Sequence, residues 1–170
     1  FGKECARVLE FTQRLYESYT FETELDVDGG YLLSYFGQGA KSLGLFAHAD
    51  VVPVANDWTL TTPFEPIEKD GFLIGRGAMD DKSAVVTSLY CAKIIKELGI
   101  PFNSRLICFT GANEESGMQD IKNYISAHTP PDFSLVCDTA FPLYRGNKGI
   151  LHFVATQEAP MHDITDFSGG

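Results

Sequence analysis

Four short stretches of the sequence carry residue types that could do chemistry together. They are His48-Ala49-Asp50, Asp80-Asp81, Glu114-Glu115 and Asp138. Imidazole and carboxylate donors without thiolates suit a catalytic zinc, cobalt or manganese centre. In a strand, residues two apart face the same way, so Asp50 could hold one nitrogen of the His48 ring while the other binds metal. Neighbouring side chains of an extended backbone diverge. One glutamate of the 114–115 pair could therefore ligate while the other moves protons. Each stretch also has a plain alternative. A lone His-x-Asp is more often structural, and two acids before a helix commonly cap it. An acidic doublet can be a solvated turn, and a loop aspartate often bonds to nearby backbone.

The elements around these residues make the chemical reading more economical. Apolar residues Val8, Leu9, Phe11, Leu15, Tyr16 and Tyr19 predict an amphipathic helix over 3–19. Gly29-Gly30 marks a turn, Tyr31–Phe36 a strand, and Gly37–Lys41 a hairpin-like turn. Leu43–Ala47 is an apolar strand that runs into His48. A loop over 56–66 and a strand over Phe72–Ile74 precede a helix over Asp80–Leu98. That helix carries Val85, Val86, Leu89, Tyr90, Ile94 and Leu98 toward a core, and it stops at Gly99 and Pro101. Strand Arg105–Phe109, loop Thr110–Gly117 and helix Met118–His128 follow. Strand Ser134–Cys137 then leads to Asp138, and Ile150–Thr156 alternates like a last strand. Strands alternating with helices predict an α/β fold, a layered sheet with helices on its faces. Ligands of such sheets bind beyond the carboxyl ends of the strands. Three predicted strands end there in His48, Glu114-Glu115 and Asp138, and the loop after a fourth leads to Asp80-Asp81.

Composition narrows the class. The chain has 170 residues, room for one domain, and a formal net charge of -10. That charge argues against nucleic acid and against anionic membrane surfaces as partners. No apolar run is long enough to span a bilayer, and no basic-then-apolar leader opens the sequence. Cys5, Cys91, Cys108 and Cys137 form no Cys-x-x-Cys pair, which excludes a zinc ribbon. Cys91, Cys108 and Cys137 sit among apolar neighbours and read as buried free thiols. A reduced, cytoplasmic setting is the expectation.

Four ordered blocks carry a family resemblance. They are Gly44–Pro53 (GLFAHADVVP), Gly75–Lys82 (GRGAMDDK), Gly111–Gly117 (GANEESG) and Cys137–Pro142 (CDTAFP). In order and spacing they resemble the aminoacylase and peptidase V family of two-zinc hydrolases. The loop from Trp58 to Asp70 is similar as well. The resemblance implies a three-layer α/β/α sandwich around a mostly parallel, mixed sheet. It implies two zinc ions, with cobalt or manganese as substitutes. His48 and Asp138 would bind the first, Asp80 would bridge both, and Glu115 would bind the second. Asp50 would orient His48, and Glu114 would be the general base and acid. A cis peptide would follow the bridging aspartate, between Asp80 and Asp81. Asp138, Phe141-Pro142 and Asn147-Lys148-Gly149 look most like the dipeptidase branch.

The resemblance also sets what is missing. Family members carry a further ligand histidine and a lid domain, so residues 1–170 are expected to be the N-terminal part of a catalytic domain. His128, His152 and His162 match no family motif and read as structural. Ser83 stands where the family has glycine. The substrate expected for the parent enzyme is a dipeptide or short peptide. An N-acyl amino acid deacylase and a non-catalytic metal-binding fragment are the competing readings, and the fragment alone is expected to be inactive.

Overall fold

The computed structural model describes residues 2–146, 148, 149, 151–154 and 156. Seven strands and three helices follow one another along the first part. They are α1 (Lys3–Ser18), β1 (Glu22–Asp26), β2 (Tyr31–Phe36), β3 (Ser42–His48), β4 (Ile67–Lys69), β5 (Phe72–Ile74), α2 (Lys82–Glu97), β6 (Arg105–Gly111), α3 (Gln119–Ala127) and β7 (Phe133–Val136). Five strands form one sheet in the order β1-β2-β6-β3-β7. β6 runs parallel to β3, and β3 parallel to β7, while β2 is antiparallel to both β1 and β6. Four of the five strands therefore point the same way.

Both faces of the sheet are covered. Successive residues of a strand point to opposite faces, and β6 shows the consequence. Leu106 and Cys108 join Leu32 in a core with Leu9 and Tyr16 of α1 and Leu89 and Ala92 of α2. Ile107 and Phe109 join Tyr31 and Leu33 on the other face, under Tyr124 of α3. The result is the expected α/β/α sandwich. Leu32 and Leu89 are wholly buried, so truncating either to alanine should cost about 2–5 kcal/mol.

Several sequence expectations change. The turn at 37–41 is not a hairpin, because β6 lies between β2 and β3. β5 pairs with β4 in a separate two-stranded hairpin and is not part of the main sheet. On α2, Ala84, Val85, Ser88, Leu89 and Ala92 face the core, whereas Val86, Tyr90, Ile94 and Leu98 are exposed. On α1 the buried residues are Leu9, Thr12 and Tyr16, and Phe11 points out. All four cysteines are free, but only Cys108 is buried and Cys91 is exposed. Beyond the expected elements, the polar segment Glu22–Asp26 forms β1.

Residues up to Thr139 form one compact unit, and those from Ala140 form another. The described residues of the second contain no helix or strand. The strand expected over 150–156 is absent at 151–154, and residues 150 and 155 lie outside the described residues. No helix among the described residues is long and apolar enough to cross a membrane.

Candidate metal centre

The registry of the parallel strands places the site. His48, the last residue of β3, pairs with Gly111, the last of β6. Asp138 follows β7 by two residues, and Glu114 and Glu115 open a single 3-10 turn, Glu114–Ser116, beyond β6. Asp80 and Asp81 precede α2, and the peptide between them is cis, as the resemblance implied. The seven acid and imidazole residues first picked out (His48, Asp50, Asp80, Asp81, Glu114, Glu115 and Asp138) lie at one end of the sheet.

His48 is the centre of the arrangement, with its side chain 4% exposed. Its Nδ1 lies 3.1 Å from the carbonyl oxygen of Asp50 and 3.4 Å from the Asp50 carboxylate. A donor bond there leaves Nε2 with its lone pair free for a metal. Nε2 is buried and makes no well-aligned hydrogen bond among the described residues. It points among three carboxylates: Asp80 Oδ1 at 3.1 Å, Asp138 Oδ2 at 3.6 Å and Glu114 Oε2 at 4.0 Å. Among the described residues, two groups have donor atoms within 4.8 Å of one another, His48-Asp81-Asp138 and His48-Glu114-Glu115. A buried, unpartnered imidazole nitrogen facing oxygen donors fits a divalent transition metal.

The electrostatics follow from burial and crowding. Burial pulls the His48 imidazolium down, but Asp50, through its hydrogen bond and charge, outweighs it with help from Asp138 and Asp81. The balance carries His48 up to about 9. Burial raises Asp50, yet His48 and the N–H groups of Glu115 and Glu114 hold it below the usual carboxylate range. Burial pushes Glu114 up, and the charges of Asp138, Glu115 and Asp50 add to it against His48. Asp138 is raised by burial and by Asp80, against the pull of His48. Burial and mutual repulsion thus disfavour the charged forms of Glu114 and Asp138, and a nearby cation would favour them.

Two aspartates matter that sequence reasoning did not single out for these tasks. Asp81 holds the N-cap position of α2 without capping it. Its carboxylate turns inward and accepts the backbone N–H of His48 at 3.2 Å. Burial, with repulsion from Asp138 and Asp80, lifts Asp81 to about 6 despite that bond. Asp120 is buried in the first turn of α3 and accepts the N–H groups of Asn113 and Ile121, both at 2.8 Å. Its Oδ2 occupies the space a side chain at Gly111 would need. From the other side, Asp50 accepts Glu114 N–H and Glu115 N–H at 3.2 Å each. Asp50 thus positions the imidazole and the glutamate turn together. Nothing short of the fold could reveal Asp120, because its partners are backbone groups around the turn.

His128 is engaged elsewhere. His128 stacks on Tyr124 and lies 3.2 Å from Tyr31 Oη and 3.3 Å from Glu24 Oε1. His152 is exposed, and His162 lies outside the described residues. Ser83 is accommodated, since its hydroxyl donates to Met79 O at 2.7 Å on the surface. Beside His48 and Glu114 lies a recess of about 190 Å³ with apolar walls from Phe46, Phe109, Met118, Ile121 and Val136.

Comparison with known proteins agrees with the geometry. Residues 44–150 match the peptidase family M20/M25/M40. A provisionally named dipeptidase of Staphylococcus epidermidis is 30% identical over 141 residues, which is 79% of this chain and 30% of that protein. Human carnosine dipeptidase 1 superposes with a TM-score of 0.70 at 19% identity, over 82% of this chain and 34% of that one. The M20 family metallo-carboxypeptidase Sso-CP2 of Sulfolobus solfataricus gives 0.64 at 20% identity, over 75% and 32%. The chain spans about a third of the length of these relatives.

Proposed function

Because the chain belongs to peptidase family M20/M25/M40, we propose that it is the N-terminal part of a catalytic domain that hydrolyses dipeptides or short peptides with two zinc ions. The observation that carries this reading is the buried, unpartnered Nε2 of His48 facing Asp80, Glu114 and Asp138. His48 and Asp138 would hold one ion, Glu115 the other, and Asp80 both. Asp80 suits the shared place because its carboxylate is the most exposed of the set, at 56%. Asp81 is already engaged with the His48 backbone. When bound, the ions would supply Lewis acidity toward a peptide carbonyl and toward a water molecule. Glu114 would take the proton of that water and hand it to the leaving amine. Its raised affinity for a proton suits both steps. Asp50 would keep the His48 ring in the required tautomer and hold the glutamate turn through its two N–H groups. The length and names of the relatives support a longer parent acting on dipeptides. Four free thiols suit a reducing compartment, and on that ground we place the protein in the cytoplasm.

The test compares this chain with a polypeptide of the relatives' length that contains it, on Ala-Ala and on N-acetyl-alanine, with zinc, cobalt or manganese. The long form should cleave Ala-Ala, and Glu114→Gln should keep its metal but lose turnover by roughly 10²–10⁴-fold. Near-normal turnover in that variant would refute the role of Glu114. Cleavage of N-acetyl-alanine alone would replace the peptidase reading with a deacylase. The 170-residue chain should be a poor catalyst, and a kcat/KM within about tenfold of the long form would overturn the reading of it as a partial site.

A further inference from the structure

We propose that the cleft between the loop over 56–66 and the end of β5 binds a small zwitterion, an α-amino acid or a short peptide with both ends free, with its carboxylate on Arg76. The proposal does not rest on the metal reading, and its test is run without metal.

Asp57, Trp58, Thr59, Leu60, Ile74 and Arg76 line a cavity of about 360 Å³. That falls within the size of small-molecule sites, about 300–1,000 Å³. Ile74 ends β5, and Arg76 follows it by two residues. The Arg76 guanidinium lies over the Trp58 indole, its Cζ 5.6 Å from the ring centroid. At that separation the ring attracts the guanidinium and holds it in place. The backbone is fixed without the side chain. Arg76 N–H donates to Pro63 O at 2.8 Å. Gly75 lies so close to Pro66 that a Cβ there would stand 2.9 Å from Pro66 Cβ. The two walls of the cleft are thus tied together independently of the guanidinium.

What the guanidinium lacks is a partner. Its Nε is buried and makes no hydrogen bond among the described residues. Its Nη groups are not buried with it, and no hydrogen bond or ion pair of theirs is found among the described residues either. The chain carries 23 Asp and Glu against 13 Lys and Arg, so a carboxylate for a purely structural arginine would be easy to supply. An arginine kept only for its stem sends its head into water. Arg76 is half-buried, and its head stacks on Trp58 instead. A planar fork of donors, oriented by an aromatic face and open to a cleft, suits a carboxylate taken by two parallel bonds. Asp57 lines the same cleft and makes no ion pair with Arg76. A site for a simple anion would not place a carboxylate there, whereas an ammonium on the same ligand gives Asp57 a partner. Leu60 and Ile74 supply apolar wall for what lies between the two charges. A free amino acid or short peptide presents that combination of groups.

Trp58 is the only tryptophan of the chain, so its fluorescence reads the cleft directly. The 170-residue chain, stripped of metal and dialysed, is titrated with leucine, Ala-Ala, Ala-Ala amide and N-acetyl-Ala-Ala. Leucine or Ala-Ala should shift the emission saturably, and the tighter of the two tells amino acid from peptide. The amide lacks the carboxylate and should bind at least about tenfold more weakly than Ala-Ala. The acetylated peptide lacks the ammonium and should also bind more weakly. Arg76→Lys keeps the charge but loses the fork, and it should weaken Ala-Ala by at least about tenfold while melting close to wild type. No saturable change with either free ligand would overturn the proposal. So would an amide or an acetylated peptide that binds as tightly as Ala-Ala, or equal affinity in Arg76→Lys. Loss of the signal in His48→Ala would move the ligand to the metal centre and overturn it as well. Should Arg76→Lys fail to fold, Asp57→Asn takes its place. That variant should weaken Ala-Ala but not N-acetyl-Ala-Ala, and an equal effect on both would sink the zwitterion site.

Discussion

Two sets of acids face His48, Glu114 with Glu115 and Asp80 with Asp138, and they are held in different ways. Glu114 and Glu115 sit on a turn whose backbone is gripped from both sides, by Asp50 at their own N–H groups and by Asp120 at Asn113. Met118 N–H closes the turn on Asn113 O at 2.8 Å. Asp138 instead follows β7, a four-residue strand at the sheet edge, with Phe133 and Val136 exposed. Asp80 stands in a loop with its carboxylate largely in solvent. One group is therefore prearranged by hydrogen bonds to backbone. The other depends on its shared histidine and on the cation that its acids would surround. Preorganisation of this kind decides how much ordering a metal must still bring about.

The largest effect should come from the residue the groups share. His48→Ala should reduce bound zinc after dialysis to background, as read by elemental analysis. Retention of half the wild-type metal would mean the groups do not meet at His48. Asp80→Asn belongs beside it as a control on the bridging assignment, because equal zinc in Asp80→Asn and wild type would remove Asp80 from the ligand set.

Next should come the residue that orders both the histidine and the turn. Asp50→Ala removes the carboxylate that lies 3.4 Å from His48 Nδ1 and frees two N–H groups at once, while the carbonyl of residue 50 still faces the ring. Metal affinity should fall by roughly 10–100-fold, the range for groups that orient ligands. An affinity unchanged by Asp50→Ala would show that the turn keeps its shape without Asp50, and the contrast between the groups would collapse.

Acidity should sharpen the same contrast in the metal-free chain. His48 is raised from an ordinary 6.5 to about 9 by its carboxylate neighbours. A raised value means that its attraction stabilises the fold fully below about 6.5 and is lost as pH rises through about 9. Metal-free melting temperature should fall over that interval, and His48→Asn should flatten the slope. A slope that is identical in the variant would assign the pH dependence elsewhere.

The smallest effect belongs to the far end of the edge strand. Asp132 accepts Lys41 Nζ at 2.6 Å and Ser42 N–H at 2.9 Å, which pins the segment before β7 to the start of β3. The lysine bond, then the Ser42 bonds, hold Asp132 down at about 2. A depressed carboxylate stabilises above its unfolded value and loses that contribution as pH falls toward about 2. The pair is exposed, so Asp132→Asn should lower the melting temperature only slightly at neutral pH. It should leave zinc content unchanged, and a large loss of zinc would show that the edge strand is looser than its pairing suggests.

Much of this site was readable because each ligand type sits where a predicted strand ends. His48, Glu114, Glu115 and Asp138 each follow an apolar run, and that local pattern survives in the fold. The misread features have a common cause. On α2, Val85-Leu89 and Val86-Tyr90-Ile94 are both apolar series at helical spacing, and only packing selects the first for the core. β1 is Glu-Thr-Glu-Leu-Asp, too polar to announce a strand, because it lies at the sheet edge with partly exposed side chains. β6 enters between β2 and β3 although about seventy residues separate it from β2, so the apparent turn between those two could not disclose the insertion.

What the sequence determined by itself was a candidate donor set, the order of the elements that carry it, and the family to which that order belongs. Those properties are local, since they depend on residue type, short-range periodicity and spacing. The tertiary structure decided which of two adjacent aspartates faces the open site and which supports the His48 backbone. It also made Asp50 the common tie of His48 and the glutamate turn, and set Asp120 behind that turn. These are long-range relations between side chains and backbone N–H groups or fixed charges, and they exist only once β3, β6 and β7 lie side by side.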